Sequence, residues 1–237
     1  MRNLAKMRIC TLILVLSALC ALPANGEKKF TSKDDPRRTP LTNAISRRDL
    51  KRVQALIGQH VDLNAEDSLG EVPMQCAAQS QTPAIVTALI RAGANVNGKG
   101  HWGPSPLQMA VEMSSGNAAI AKILIEAGAD VRAESGGYSV LNIAAQDASD
   151  VEVKMLLDRG ADPNHAEPKG TTAIYWAAMN CDVAKTRVLL EHGADPTRKD
   201  ERGEDALSVV PTSNRESRVL KNCAEVRTML QTILRTH

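Results

Sequence analysis

Groups able to do chemistry are few in this chain, and they stand apart from one another. The five histidines, His60, His101, His165, His192 and His237, show no HExxH or comparable spacing that would bring two imidazoles onto one metal ion. No Gly-rich phosphate loop, no GxGxxG within a strand–helix–strand unit and no GxSxG nucleophile turn occurs, and Trp102-Gly103-Pro104 reads as a turn. The acids recur mostly as the Asp of Gly-Ala-Asp, where a short carboxylate bonds the backbone of a turn. Catalysis needs a nucleophile, acid or base converging in one pocket. Here those groups are scattered, so no catalytic residue, metal ligand set or cofactor is expected.

The elements that would have to position any site are built from small aliphatic residues. Of 237 residues 43% are hydrophobic and 24% charged, too apolar for a disordered chain, yet only 2% are aromatic: Phe30, Trp102, Tyr138, Tyr175 and Trp176. That scarcity argues against an aromatic-packed β-sandwich and against a base-stacking platform for nucleic acid. Lys and Arg number 29 against 27 Asp and Glu; without Arg2, Lys6 and Arg8 the balance is 26 − 27 = −1. A near-neutral chain with mixed signs has no footprint for phosphate backbones or anionic membranes.

Those three cations open a segment with the pattern of a secretory signal. A basic start is followed by an apolar run from Ile9 to Leu22 and by small residues, Ala24-Asn25-Gly26. The run is shorter than the roughly 20 residues that span a bilayer. Residues 1–26 are therefore expected to direct export, to the periplasm or outside the cell, with cleavage near Gly26; retention as an N-terminal anchor is the alternative. No other stretch is long enough to span a membrane. Residues 27–38 are charged, contain Pro36 and read as a flexible polar arm. Export leaves three cysteines, Cys76, Cys181 and Cys223, which in an oxidising compartment give either one bridge and one buried thiol or three free thiols.

The sequence repeats itself. Segments ending Arg91-Ala92-Gly93-Ala94-Asn95, Glu126-Ala127-Gly128-Ala129-Asp130, Asp158-Arg159-Gly160-Ala161-Asp162 and Glu191-His192-Gly193-Ala194-Asp195 are near copies, and His60 stands at the glycine position of a degenerate earlier one. A second motif runs in phase: Thr39-Pro40-Leu41, Val72-Pro73-Met74, Ser105-Pro106-Leu107, Ser139-Val140-Leu141, Thr172-Ala173-Ile174 and Asp205-Ala206-Leu207. A two-motif period near 33 residues closely resembles the ankyrin repeat. Each motif has a mechanical reason. Thr or Ser before Pro starts a first helix, Ala-Ala lets that helix pack closely, and an apolar stripe precedes the Gly that ends a second helix in a left-handed turn. Gly70, Gly103, Gly137, Gly170 and Gly203 then turn the fingers.

The resemblance implies an all-α ankyrin-repeat solenoid over residues 39–237, in units of about 39–71, 72–104, 105–138, 139–171, 172–204 and 205–237. The last unit, with an insertion within Pro211 to Arg218, is expected to be a modified cap. The family's His is absent from every first-helix motif; Thr42, Gln75, Gln108, Asn142, Tyr175 and Ser208 replace it, mostly as polar groups still able to bond the finger backbone. Cys181 and Cys223 fall in adjacent units, where a bridge would staple the cap, but sequence does not give the Cα distance. Cys76, beside Ala77-Ala78, reads as a small core residue.

Ankyrin stacks bind other proteins along a concave face of fingers and first helices, and the resemblance implies that use here. Mapped onto this sequence, the partner-binding candidates are His101, Trp102, Tyr138 and Lys169 on fingers, with Gln79, Glu112, Met113, Gln146, Met179 and Tyr175 on first helices. Trp102 and Tyr138 are the best anchor candidates, with packing over the finger glycines or between units as the alternative reading, above all for Tyr138; Tyr175 reads either way, and Trp176 reads as packing rather than contact. The expectation is a non-enzymatic, monomeric, exported scaffold that binds a partner protein, in the role of an inhibitor or immunity-type antagonist of an envelope or secreted enzyme. A secreted effector acting on a host protein is the alternative.

Overall fold

The structure, a computed structural model, describes residues 34–101, 103–112, 118–212 and 217–236. The expected signal segment lies outside these residues. Two compact units meet the eye, the first closing at Gly103 and the second beginning at Pro104.

In the first unit, α1 (Pro40–Ser46), α2 (Leu50–Gly58), α3 (Pro73–Gln79) and α4 (Pro83–Arg91) form two antiparallel pairs. The Thr39 hydroxyl accepts the Thr42 N–H, and Pro40 and Pro73 pre-set the first turn of their helices. First helices α1 and α3 pack on each other, as do second helices α2 and α4. Leu41, Ile45, Met74, Ile85 and Leu89 fill the core at 2% exposure or less.

The second unit repeats this plan with α5 (Pro106–Glu112) and α6 (Ala119–Glu126), α7 (Val140–Asp147) and α8 (Asp150–Asp158), and α9 (Ala173–Met179) and α10 (Val183–Glu191). A two-residue hairpin, β1 (Glu134–Ser135) with β2 (Tyr138–Ser139), marks one finger, Glu134 facing Ser139. Ala144, Ala145, Ala177 and Ala178 are fully buried between first helices, where a larger side chain would hold the backbones apart. α8 opens with a reciprocal cap: Ser149 Oγ accepts the Glu152 N–H while the Glu152 carboxylate accepts the Ser149 N–H. The second helices end in left-handed turns as the repeated glycine requires, with φ between +81° and +88° at Gly93, Gly128, Gly160 and Gly193; His60, in the same register, also turns at φ +57°.

Two expectations need correction. The sixth unit has no first helix: residues 206–210 form a turn, in which Asp205 Oδ1 accepts the Ser208 N–H at 2.9 Å. Pro211 disfavours helical backbone in the residue before it. The unit is completed by α11 (Ser217–Thr236), a 20-residue helix lying on α9 and α10. The arm, expected to be flexible through residue 38, is held at its end. Arg38 is 9% exposed, its guanidinium 3.2 Å from Glu71, and Asp35 and Asn43 exchange two hydrogen bonds. Residues 27–33 lie outside the described part.

Cys181 and Cys223 are joined in a disulfide, with Cα atoms 4.6 Å apart. Cys181 sits in a left-handed turn after α9 (φ +55°), in the register that Arg48 and Gln81 occupy in the first unit. The bond ties α11 near its start to the turn between α9 and α10. Among the described residues, no helix is long and apolar enough to cross a membrane.

Candidate partner-binding face

The polar residues that replace the family's histidine hold the fingers to the first helices. Gln75 Oε1 accepts the Val72 N–H at 3.2 Å and the Gly100 N–H at 2.9 Å. Gln108 accepts from Ser105 N–H and donates to the Tyr138 carbonyl at 2.9 Å, and Asn142 donates to the His165 carbonyl at 3.3 Å. Thr42 instead donates to the Asp67 carboxylate at 3.0 Å. The Asp of each Gly-Ala-Asp turn bonds its own backbone: the Asp130 and Asp162 carboxylates accept N–H groups two residues on at 2.9 and 2.8 Å. These acids are structural.

Three fingers share one backbone turn. Asp67, Glu167 and Asp200 each donate their N–H to the carbonyl four residues on and accept the N–H of the glycine three residues on, all at 2.8–2.9 Å. Their side chains diverge. Asp67 and Asp200 turn back onto their own fingers, accepting from the N–H groups of Leu69 and Glu71, and of Arg202 and Glu204. Each also meets a guanidinium, Arg38 at 3.9 Å and Arg202 at 3.0 Å. Glu167, one methylene longer, reaches the first helices: Oε1 accepts from Gln146 Nε2 and Trp176 Nε1, both at 3.1 Å, and Oε2 from Thr171 Oγ1. It is 6% exposed, and burial pushes its carboxyl above the ordinary range.

The candidate contact residues are distributed over both units. In the first, His101 is exposed and Gln79 half-buried; Trp102 lies outside the described residues. In the second, Lys169 is exposed, while Tyr138, Glu112, Gln146 and Met179 are half-buried; Met113 lies outside the described residues. Tyr175 does not belong with them. It is 3% exposed, its hydroxyl takes a short hydrogen bond from Arg202 and donates to Glu204, and burial raises its phenol to about 12. Large side chains at the family's histidine position point into the stack, which is why a surface role fails there. Trp176, the next residue, is half-buried, with its ring edge-on to Tyr175 at 5.7 Å. Glu167 is the site feature that sequence reasoning missed, and with it the hydrogen bond that Trp176, read as packing, donates to it; the one available signal was the acid recurring at 67, 167 and 200.

One acidic cluster has metal-like composition. Asp67, Glu71 and Cys76 bring ligand atoms within 4.8 Å of one another. Arg38 supplies the positive charge there, Nη1 donating to Cys76 Sγ at 3.5 Å, so the cluster works as a buried ion-pair network tying the segment before α1 to the finger that turns at Gly70. Cys76 is 2% exposed.

Paired antiparallel helices, left-handed glycine turns and hydrogen-bonded fingers at a 33-residue step define a repeat scaffold, and the family model for ankyrin repeats in three copies matches residues 14–100, 41–135, 83–167, 107–200 and 141–218. The chain belongs to the ankyrin-repeat family and is an all-α ankyrin solenoid. Among solved structures it is similar to a chain in the complex of the predatory endopeptidase Bd0816 from Bdellovibrio bacteriovorus with immunity protein Bd3460. The two share 27% identity at a TM-score of 0.66, over 84% of this chain and 99% of that one. No curated protein matches it.

Proposed function

We propose that this chain is an exported, non-enzymatic antagonist that binds an endopeptidase through its finger and first-helix face and so blocks it. The single observation that carries this is the similarity, over 84% of this chain and 99% of the other, to a chain from an endopeptidase–immunity protein complex. The fold supports it, because repeat stacks present extended side-chain surfaces and the acids of the Gly-Ala-Asp turns bond their own backbone. Export by residues 1–26 would bring the chain to the compartment where an exported endopeptidase acts.

The test is capture and inhibition. Tagged full chain is incubated with envelope extract from its own source, retained proteins are identified, and peptide hydrolysis by any captured endopeptidase is assayed against added chain. We expect one endopeptidase to be held and inhibited, and a Trp102→Ala/Tyr138→Ala double variant to release it. A captured peptidase that stays fully active would remove the antagonist role, and capture of a protein from a foreign host instead would favour an effector.

A further inference from the structure

Glu167 is a buried carboxylate with no cation beside it among the described residues. Its two register equivalents, built on the same backbone turn, each meet a guanidinium: Asp67 with Arg38, Asp200 with Arg202. Among the described residues no cation pairs with Glu167; the side chains that bond it, Gln146, Trp176, Thr171 and Asn142, are neutral. Lys169, two residues on as Arg202 is from Asp200, is exposed and makes no ion pair with it. The residue is 94% buried by its 6% exposure, yet Gln146 and Trp176, which bond it, are both half-buried and so border solvent.

We infer that Glu167, Gln146 and Trp176 form a receiving station for a guanidinium side chain of the partner protein, which supplies in the complex the cation that Arg38 and Arg202 supply elsewhere in the chain. The chemistry selects arginine. A planar guanidinium can bond a carboxylate whose oxygens are partly engaged and stack on an indole at the same time, whereas an ammonium is a more strongly hydrated point charge. The lengthening from Asp to Glu moves the carboxylate from its own finger to the first-helix face, where a partner approaches. Burial holds the Glu167 carboxyl above the ordinary range, a cost that neutral donors leave in place and a cation would relieve.

This deepens the reading that the finger face receives a partner protein and rests on it, but its test needs no partner. The full chain, labelled with nitrogen-15, is titrated with N-acetylarginine amide and with its neutral isostere N-acetylcitrulline amide. The Trp176 indole N–H resonance is followed; the chain has two tryptophans, and Trp102→Phe identifies it. A charge-assisted bond to a buried carboxylate predicts arginine binding about tenfold tighter than citrulline, and Glu167→Gln should bring the two together. Equal responses to the two ligands, no response to either, or an arginine preference that survives Glu167→Gln would overturn the proposal. Should Glu167→Gln not fold, the arginine-to-citrulline ratio in the unsubstituted chain decides alone, a ratio near one overturning it. An arginine response without endopeptidase capture would count against the antagonist only, and capture without an arginine response against this station only.

Discussion

Gln75 and Glu167 show two different uses of a buried polar side chain. Gln75, 1% exposed, satisfies the N–H groups of Val72 and Gly100 with a single oxygen. Gln75→Ala would leave both buried donors unbonded and should cost about 3 kcal/mol, read as a lower urea midpoint with an unchanged slope. Glu167 works against stability at neutral pH. Its folded carboxyl is raised by burial, so the folded state binds the proton more tightly than the unfolded chain, and stability falls as pH rises from the ordinary carboxylate range through the folded value. Glu167→Gln keeps an acceptor for Gln146 and Trp176 without the charge. The variant should therefore melt higher than the parent at pH 7, and the difference should close as the pH is lowered to about 4. A gap that widens on acidification would show that the carboxylate is stabilised in the fold. That Gln75, Gln108 and Asn142 bond finger backbone was legible in the sequence, because their register follows from the repeat. Glu167 was not, because the direction its carboxylate takes depends on one methylene and on which first-helix side chains stand opposite.

At the scale of elements, the turns and the terminal helix carry the testable strain. Gly193 and Gly170 both have left-handed backbone, at φ +81° and +82°. A Cβ at Gly193 would meet nothing within 4 Å, whereas at Gly170 it would lie 3.0 Å from the Asp200 Cα and 3.3 Å from the Lys199 carbonyl. Gly193→Ala should thus cost only the backbone penalty of about 1 kcal/mol, and Gly170→Ala distinctly more, in parallel thermal melts. α11 rests on a narrow stripe of Cys223, Val226 and Leu230, with most of its remaining described surface exposed. The Cys181–Cys223 bond is its covalent tie. Cys223→Ala should lower stability by about 2–4 kcal/mol and speed amide exchange in α11 more than in α7 or α8. Exchange that rises equally in all helices would mean that the bond holds the whole unit rather than its end. The helix starts at Thr39, Ser105 and Ser139 could be read directly, since capping is local. The missing first helix of the sixth unit could not, because its repeat register survives at Asp205-Ala206-Leu207 while Pro211 cuts the helix short.

For the whole molecule, binding is expected to be separable from folding. Lys169 is exposed and Met179 half-buried on the second unit, and neither contributes a fully buried side chain. Lys169→Ala/Met179→Ala should weaken binding of the proposed endopeptidase partner by about 2 kcal/mol while shifting the melting temperature little, compared by calorimetry with the unsubstituted chain. A matched loss of stability would place these side chains in the fold's support instead. The repeat period, the helix starts, the glycine turns and the alanine seams follow from the order of amino acids alone, because each depends on residues within a turn or two of chain or on a pattern repeated every 33 positions. Packing in three dimensions was needed to bring Arg38 onto Glu71, Tyr175 inward to Arg202 and Glu204, Cys181 to Cys223, and Glu167 to Gln146 and Trp176. These contacts join residues distant in sequence, on different elements, where side-chain length and the spacing of packed helices set which polar groups come within hydrogen-bond reach.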